Sequence, residues 1–334
     1  MENVKSILLI RLKSIGDVIF TLPAANAVRA NFPDAKITFL TSRENAPLIE
    51  GFAAADEVIA LDRAVFRSGN PLRFVPEFFG LLRRLRSGKF DLVVDFQGFG
   101  ETAWLTRLTG SPQRWGSVHG KGRAWAYTRG CRREEKIHLA DWNLLLLRQC
   151  GLKTGGIKND FILPAAALAA ARRFFAEQKL SPERPTLFLQ PFTSSPHKNW
   201  PLENFLELAW HFRARGAQVV FGGGPADRAA LEPARQEGFA ISAGVPLLIT
   251  GGLMQLSTLV CGGDTGALHL AVALGKRVLM LIHQADTGSP TPFQHPDWVV
   301  VAPRPAAIAE ISVAEVIAAG AAALGYNDCQ TRKN

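Results

Sequence analysis

The sequence predicts an α/β protein built from two doubly wound parallel sheets, and three observations carry that prediction. Short apolar runs alternate with longer helical stretches through both halves of the chain, the pattern of repeated strand–helix–strand units. Runs such as Ile7-Leu8-Leu9-Ile10 and Val278-Leu279-Met280-Leu281-Ile282 are apolar throughout, as parallel strands covered on both faces are. At 334 residues the chain exceeds the usual size of one core, so two domains are expected.

In the first half the strand Ile7–Ile10 is followed by a polar loop from Arg11 to Asp17 and a helical stretch from about Val18 to Asn31. Pro23 lies early in that stretch and predicts a kink, or a helix restarting after Thr21. Ile37–Leu40, Glu57–Leu61 and Asp91–Asp95 read as further strands, the last ending at Phe96-Gln97-Gly98. Residues 74–86 form an amphipathic helix with Phe and Leu on one side and Arg83, Arg84 and Arg86 near its end. Residues 138–151 read as a helix stopped by Gly151.

Residues 152–185 change character: Gly155-Gly156, Pro164, an Ala-rich helix, Pro182 and Pro185 mark the crossing between domains. The second half restarts with the strand Thr186–Leu189 and a polar loop through Lys198. Helix 202–215 ends at Gly216, and Gln218–Phe221 is a strand closed by Gly222-Gly223-Gly224. A last amphipathic helix covers about Val313–Leu324, and a loose tail is expected after Tyr326. In such sheets ligands sit outside the carboxyl ends of the strands. The loops 11–17, 190–198, 222–227 and 262–269 all fall there, and two sheets facing each other would bring them into one cleft.

Apolar residues make up 47% of the chain and charged residues 20%, ordinary for a protein with real cores. No apolar stretch approaches the roughly 20 residues that span a bilayer. The N-terminus leads straight into a strand without the layout of a signal peptide, which predicts a cytoplasmic protein. Cys131, Cys150, Cys261 and Cys329 lie far apart without a C-x-x-C pair, so neither a disulfide frame nor a zinc site is suggested. The seven histidines include no H-E-x-x-H cluster, and no metal is expected.

Charge is uneven. Residues 1–165 hold 24 Lys and Arg against 16 Asp and Glu, and residues 63–136 alone hold 15 against 6, which equals the net +9 of the chain. Such a field suits a phosphorylated glycan, an acidic lipid surface or nucleic acid, or is a solvated basic face. Without a zinc finger, RRM or basic-zipper signature, nucleic acid is the weakest of these.

The densest signal is residues 262–275, Gly-Gly-Asp-Thr-Gly-Ala-Leu-His-Leu-Ala-Val-Ala-Leu-Gly. A strand ends in two glycines and a carboxylate, then a helix begins. Its free N–H groups and positive dipole end make a natural site for a nucleotide pyrophosphate; equally, Asp264 or Thr265 is an N-cap in an α/β core. His269 either reaches a phosphate or is a satisfied core residue. Asp17, at a strand-to-helix turn, is either a general base for a hydroxyl nucleophile or a plain helix cap. Thr193, Ser194, Ser195 and Lys198 bring hydroxyls and a cation together at a helix start, suited to phosphate oxygens and a departing diphosphate, although Lys198 also reads as an exposed loop lysine. Trp200 beside them reads as a packing anchor. Gly223, inside the triple glycine, permits close backbone approach to a ligand, and Asp227 is placed to hold ribose hydroxyls. No G-x-G-x-x-G follows the first strand, which counts against a nicotinamide-type oxidoreductase.

Four segments in order resemble glycosyltransferase family 9, the bacterial heptosyltransferases of lipopolysaccharide core assembly. They are residues 10–23 (Ile-Arg-Leu-Lys-Ser-Ile-Gly-Asp-Val-Ile-Phe-Thr-Leu-Pro), 94–98 (Val-Asp-Phe-Gln-Gly), 197–201 (His-Lys-Asn-Trp-Pro) and 264–275. The resemblance extends over about residues 4–325. It implies a GT-B fold: a Rossmann-like acceptor domain over 1–165, a linker over 166–185, a Rossmann-like donor domain over 186–312, and a helix over 313–326 packing back toward the first domain. It also implies metal-independent, inverting transfer from a nucleotide sugar, typically ADP-heptose, with no cofactor.

By this resemblance Asp17 is the base on the acceptor hydroxyl and Lys198 the diphosphate contact. Asp264, Thr265, Gly266 and His269 form the donor loop. The acceptor is a lipid-linked phosphorylated oligosaccharide at the cytoplasmic face of the inner membrane, a peripheral contact, with no nucleic acid partner. Arg63, Arg67, Arg73, Gln97, Lys121 and Arg123 are candidates to bind it. Three positions depart from the pattern. Glu101 stands where Lys is frequent, Asp227 stands in place of a ribose-holding Glu, and Ile282–Gly288 replaces Phe-Gly-Pro-Thr. A transferase of another nucleotide sugar, and a non-catalytic nucleotide- or glycan-binding accessory protein, are the alternatives.

Overall fold

The computed structural model describes residues 4–284, 290–303 and 307–325. They form two compact units, one ending at Ile162 and the other beginning at Leu163.

The first unit runs β1 (Ser6–Ile10), α1 (Ile15–Ile19), α2 (Leu22–Asn31), β2 (Lys36–Ser42), β3 (Glu57–Leu61), α3 (Arg63–Arg67), α4 (Pro71–Ser87), β4 (Leu92–Asp95), α5 (Gly100–Leu108), β5 (Gln113–Val118), β6 (Arg129–Arg132) and α6 (Leu139–Gln149). Its sheet is parallel in the order β3-β2-β1-β4-β5-β6. The second runs α7 (Ala165–Glu177), β7 (Thr186–Gln190), α8 (Leu202–Ala214), β8 (Gln218–Gly223), α9 (Glu232–Gln236), β9 (Ala240–Ala243), α10 (Leu247–Leu256), β10 (Leu259–Gly263), α11 (Gly266–Ala273), β11 (Val278–Ile282), β12 (Val299–Val301) and α12 (Val313–Leu324). Its sheet, also parallel, reads β12-β11-β10-β7-β8-β9. The sequence predicts two doubly wound parallel sheets, and counted within each unit both have the strand order 3-2-1-4-5-6 of doubly wound nucleotide-binding folds.

Side-chain alternation explains why each sheet must be covered on both faces. Along β7, Leu187 and Leu189 join the cluster under α8 and α12 with Trp200, Phe205 and Phe212. Phe188 between them joins the opposite cluster with Ala171 and Phe175 of α7, Leu253 of α10 and Leu268 of α11. Each such fully buried Leu or Phe contributes about 1.5–3 kcal/mol.

The helix starts differ in detail from the sequence reading. The helix after β1 begins at Ile15 rather than Val18, so Asp17 lies inside its first turn and Ser14 takes the cap position. The chain breaks after Ile19 and α2 restarts with Pro23 in its first turn, the second of the two outcomes Pro23 predicts. α4 starts at Pro71, where the Asn70 side chain accepts the Leu72 N–H at 3.0 Å. The crossing segment is pinned to the first unit: Asn31 exchanges hydrogen bonds with the backbone of Lys153, and the Ile162 N–H donates to Gly51 O at 3.0 Å.

The Ala-rich helix read as part of the crossing is α7, packed on α10 within the second unit. α12 packs on α8, β10 and β12. Strands β5, β6 and β9, which carry no long apolar run, and β12, a short apolar run at the sheet edge, add to the strands read from the sequence. Cys131 on β6 and Cys150 at the end of α6, distant in sequence, bring their free thiols to 3.9 Å. The 285–288 part of the atypical loop, the Lys121 side chain, Tyr326 and Cys329 lie outside the described residues.

Candidate functional site

In the first unit, polar groups gather at the carboxyl ends of the paired strands β1 and β4, where Ile10 lies opposite Asp95. The buried Arg11 guanidinium is held from three sides: Nε donates to Lys13 O at 3.0 Å, Nη1 to Phe96 O at 2.9 Å, and Nη2 meets Asp17 Oδ2 at 2.7 Å. The Asp17 carboxylate also accepts the Ser14 N–H at 3.0 Å. Its side chain remains 35% exposed, so the carboxylate is oriented yet open to a substrate.

A second layer fixes that loop. Gln97, buried, accepts the Leu12 and Lys13 N–H groups on Oε1 at 2.9 and 3.2 Å. It therefore shapes the loop that carries Asp17 and does not present a side chain to solvent as an acceptor contact. Asp95 in turn accepts the Gln97 and Gly98 N–H groups, both at 2.9 Å, and the Tyr127 hydroxyl at 2.7 Å. Complete burial pushes the Asp95 carboxyl above its ordinary value despite these donors, and burial with Asp95 alongside raises the Tyr127 hydroxyl far above its own. Gly98 turns with φ +68°, and a Cβ there would sit 1.9 Å from Ser117 O, so only glycine fits. His119 Nε2 lies 3.0 Å from Gln97 O, which places the ring proton on that nitrogen.

The arginines called from sequence divide. Arg63 pairs with Glu101 at 3.2 Å, so the departure at position 101 occupies one of the predicted acceptor cations. Arg123 donates to Gly98 O at 3.3 Å. Arg67 and Arg73 stand exposed on α3 and α4.

In the second unit the loop after β7, the loop after β8 and the start of α11 carry the predicted residues. Lys198 Nζ meets Asp264 Oδ2 at 2.6 Å, and Asp264 Oδ1 meets His269 Nε2 at 2.9 Å. Burial acts to raise the Asp264 carboxyl, but the His269 hydrogen bond and charge, followed by Lys198, outweigh it and leave the carboxyl below its ordinary value. Thr265, not Asp264, caps α11, its hydroxyl accepting the Leu268 N–H at 3.3 Å. Asp264 is thereby left to bridge the lysine and the histidine, and His269 is both buried and engaged.

Two glycines make this approach possible. A Cβ on Gly263 would stand 2.6 Å from Lys198 O and one on Gly262 2.5 Å from Gln190 O, so the end of β10 lies directly against the lysine loop. That loop is closed by Thr193, whose hydroxyl donates to Ser195 O at 2.8 Å and accepts the Ser195 N–H at 3.1 Å. Thr193 is thus a loop-forming residue, while Ser194 is exposed at the tip. Asp227 caps its own turn by accepting the Gly224 N–H at 2.7 Å, beside Gly223. Trp200 is the packing anchor expected: it is buried against Phe205 and donates Nε1–H to Ile311 O at 2.8 Å. Cavities of about 360 Å³ beside Ser6, Lys36 and Phe90 and about 610 Å³ beside Gln178, Gln218 and Ala240 open at the amino ends of strands, the wrong end for ligands in such sheets.

The sequence reading missed Arg11 and the Asp95–Tyr127 pair. A carboxylate ending an otherwise apolar strand just before Phe-Gln-Gly was the available signal for the latter.

Two doubly wound sheets, one per unit, with polar loops at the carboxyl ends of their strands, define the GT-B class. The family model described as glycosyltransferase family 9 (heptosyltransferase) matches residues 78–310, and the chain belongs to that family. It is 27% identical over 295 residues to lipopolysaccharide heptosyltransferase 1 of Pseudomonas aeruginosa, covering 84% of this chain and 79% of that one. To lipopolysaccharide heptosyltransferase 3 of Escherichia coli it is 24% identical over 288 residues, covering 81% of each. In fold it resembles a glycosyl transferase family 9 structure from Veillonella parvula, with TM-score 0.85 at 22% identity over 98% of this chain and 99% of that one. An Escherichia coli heptosyltransferase solved with ADP-2-deoxy-2-fluoro heptose gives TM-score 0.72 at 21% identity, covering 93% and 97%.

Proposed function

We propose that the chain is an inverting, metal-independent glycosyltransferase that moves heptose from ADP-heptose to a hydroxyl of the lipopolysaccharide inner core. The observation that carries the proposal is the Lys198–Asp264–His269 arrangement at the start of α11. The first N–H groups of that helix have no acceptor within it, and with Lys198 they supply positive charge where a departing diphosphate develops its own. A metal is not required for that task. Thr193 and Ser195 shape the lysine loop, Ser194 and Gly223 give the donor polar and backbone contacts, and Asp227 takes the ribose. Thr265 and Gly266 set the helix start.

On the acceptor side, Asp17 removes the proton from the attacking hydroxyl, held in orientation by Arg11. Attack opposite the leaving diphosphate inverts the anomeric centre in one displacement. Arg67, Arg73, Lys121 and Arg123, with Arg63 modulated by Glu101, bind acceptor phosphates, and Gln97 acts through the loop it holds. The protein works at the cytoplasmic face of the inner membrane as a peripheral enzyme, using no cofactor. Relatives that bear heptosyltransferase names, and one solved with an ADP-heptose analogue, support the choice of donor.

The test is calorimetric titration without metal against ADP, UDP, GDP, CDP, TDP and ADP-heptose, followed by transfer to a heptose-deficient core acceptor. Preference for the ADP species, lost in Lys198→Ala, is expected. Preference for another nucleotide overturns the heptose assignment, and binding of none leaves a non-catalytic accessory protein.

A further inference from the structure

α4 carries two apolar stripes, and the fold uses one of them. Phe74, Phe78, Leu81 and Leu85, at spacings of four, three and four, line the other side, with Leu81 and Leu85 buried, Phe78 half-buried and Phe74 37% exposed. Leu81 and Leu85 join the cluster with Leu8, Ile10 and Leu40, and Phe74 meets Phe66 edge-to-face and stacks on Phe78, with ring centroids at 5.4 and 5.6 Å. The second stripe is Leu72, Val75, Pro76 and Phe79, again at helical spacing, and it faces solvent. Leu72 is 85%, Val75 47% and Phe79 61% exposed. One and two turns further along the same outward line stand Arg83 and Arg86, both exposed, with Arg73 and Arg84 on the flank. Glu77 is the single acidic residue of the helix.

We propose that α4 is an interfacial membrane helix, lying along an anionic lipid surface with Leu72, Val75 and Phe79 among the acyl chains and Arg83 and Arg86 at the phosphates. The composition fits that environment: an apolar edge with Phe and Leu, continued by arginines whose aliphatic stems bury while their heads stay polar. The 17 residues give a rod about 25 Å long, and no helix among the described residues is long and apolar enough to cross a membrane. A second copy is the poorer occupant. Pressed together parallel, two such faces oppose arginine to arginine; antiparallel, they bury arginine on leucine. An acidic bilayer satisfies both ends of the stripe at once. The reading of a lipid-linked acceptor gives this contact its purpose, and the contact would hold the first unit at the surface where such an acceptor resides.

The experiment is co-sedimentation of the full chain with vesicles of phosphatidylglycerol and phosphatidylcholine, against vesicles of phosphatidylcholine alone. Binding to the anionic vesicles that weakens with salt is expected. Leu72→Ser/Phe79→Ser should weaken it on the order of tenfold to a hundredfold through lost apolar burial. Arg83→Gln/Arg86→Gln should weaken it on the order of tenfold and flatten its salt dependence. Both pairs are exposed, so thermal unfolding should be unchanged. Absence of anionic-vesicle binding, or binding by the double variants equal to wild type, overturns the proposal. So does a dimer in ultracentrifugation that Leu72→Ser/Phe79→Ser breaks, which would give the face to a second copy. ADP titration in parallel separates the two readings. Vesicle binding without ADP binding sinks the proposed function alone, and ADP binding without vesicle binding sinks the interfacial helix alone.

Discussion

Lys198 Nζ stands 2.6 Å from Asp264 Oδ2, joining the loop after β7 to the turn that opens α11. The contact requires Gly263, because any side chain there would strike Lys198 O. The lysine is thus held beside a helix N-terminus by an anion, and a diphosphate arriving at that helix end would compete with Asp264 for the same ammonium.

Lys198→Ala should therefore lose function with little loss of fold. Its side chain is 38% exposed, and an ion pair so exposed contributes only about 0–1 kcal/mol. ADP affinity should fall at least tenfold and kcat by on the order of 10²–10³, measured by calorimetry and steady-state transfer. Trp200→Ala, two residues away, should do the reverse, destabilising by about 3–5 kcal/mol. Equal stability losses in both variants would show that Lys198 is structural.

Buried Asp95 and half-buried Asp264 predict opposite pH limbs. The folded Asp264 carboxyl lies below its ordinary value, so its pairing favours folding above the unfolded carboxylate range and is lost as pH falls through the folded value. Asp95 lies above its ordinary value, so its contribution is full below the unfolded range and is lost as pH rises through the folded value. Unfolding free energy measured in urea against pH should show both limbs. Asp264→Asn should flatten the acid limb and Asp95→Asn the other. Superimposable profiles for wild type and Asp95→Asn would refute the assignment.

Asp95 also predicts a split between isosteric and truncating changes. In Asp95→Asn the oxygen can keep the Gln97 and Gly98 N–H groups while the amide nitrogen donates to Tyr127. Asp95→Ala leaves those two buried N–H groups and the hydroxyl unpaired, each worth about 1–3 kcal/mol. Chemical denaturation should place Asp95→Ala several kcal/mol below Asp95→Asn, with Tyr127→Phe between them. Activity should fall in the same order, since this network holds the loop that carries Asp17.

How much of this was legible in the sequence follows from what each residue interacts with. The central strands announce themselves because burial on both faces demands unbroken apolar runs, and both sheet orders rest on them. β6 reads Arg-Gly-Cys-Arg and lies at a sheet edge, where one neighbour and half-solvated faces remove that demand. Asp17, Lys198, Asp264 and His269 were legible as chemistry at strand ends. Their partners were not: Arg11 reaches Phe96 across 85 residues, and Lys198 reaches Asp264 across 66, distances that periodicity does not encode. Arg63 reads from sequence as a candidate acceptor contact for the same reason, because nothing local shows that Glu101 lies against it.

Glu101→Lys tests that pairing. It removes the anion from Arg63 and adds a cation beside it, in the basic stretch proposed to meet acceptor phosphates. KM for a phosphorylated acceptor should fall severalfold at low salt and the difference should close as salt rises. Stability should change by less than about 1 kcal/mol, as for partly exposed pairs. A KM that rises or stays constant at every ionic strength would place Glu101 and Arg63 outside the acceptor contact.

Asp17 and Arg11 separate chemistry from positioning. Asp17→Asn keeps the size of the side chain and one acceptor oxygen for the Ser14 N–H, yet cannot take a proton from a hydroxyl. kcat should fall by on the order of 10²–10⁴ with ADP affinity unchanged, because the donor contacts belong to the second unit. Arg11→Lys retains the charge but cannot satisfy Lys13 O, Phe96 O and Asp17 together, since the planar fork that reaches all three is peculiar to arginine. That variant should lose stability by about 1–3 kcal/mol and lower kcat less than Asp17→Asn does. Its residual activity should still depend on the carboxylate, because the proton acceptor is present, so Arg11→Lys/Asp17→Asn should be no more active than Asp17→Asn alone. A kcat unchanged in Asp17→Asn would leave the carboxylate as a helix-end partner of Arg11 and send the search for the base elsewhere.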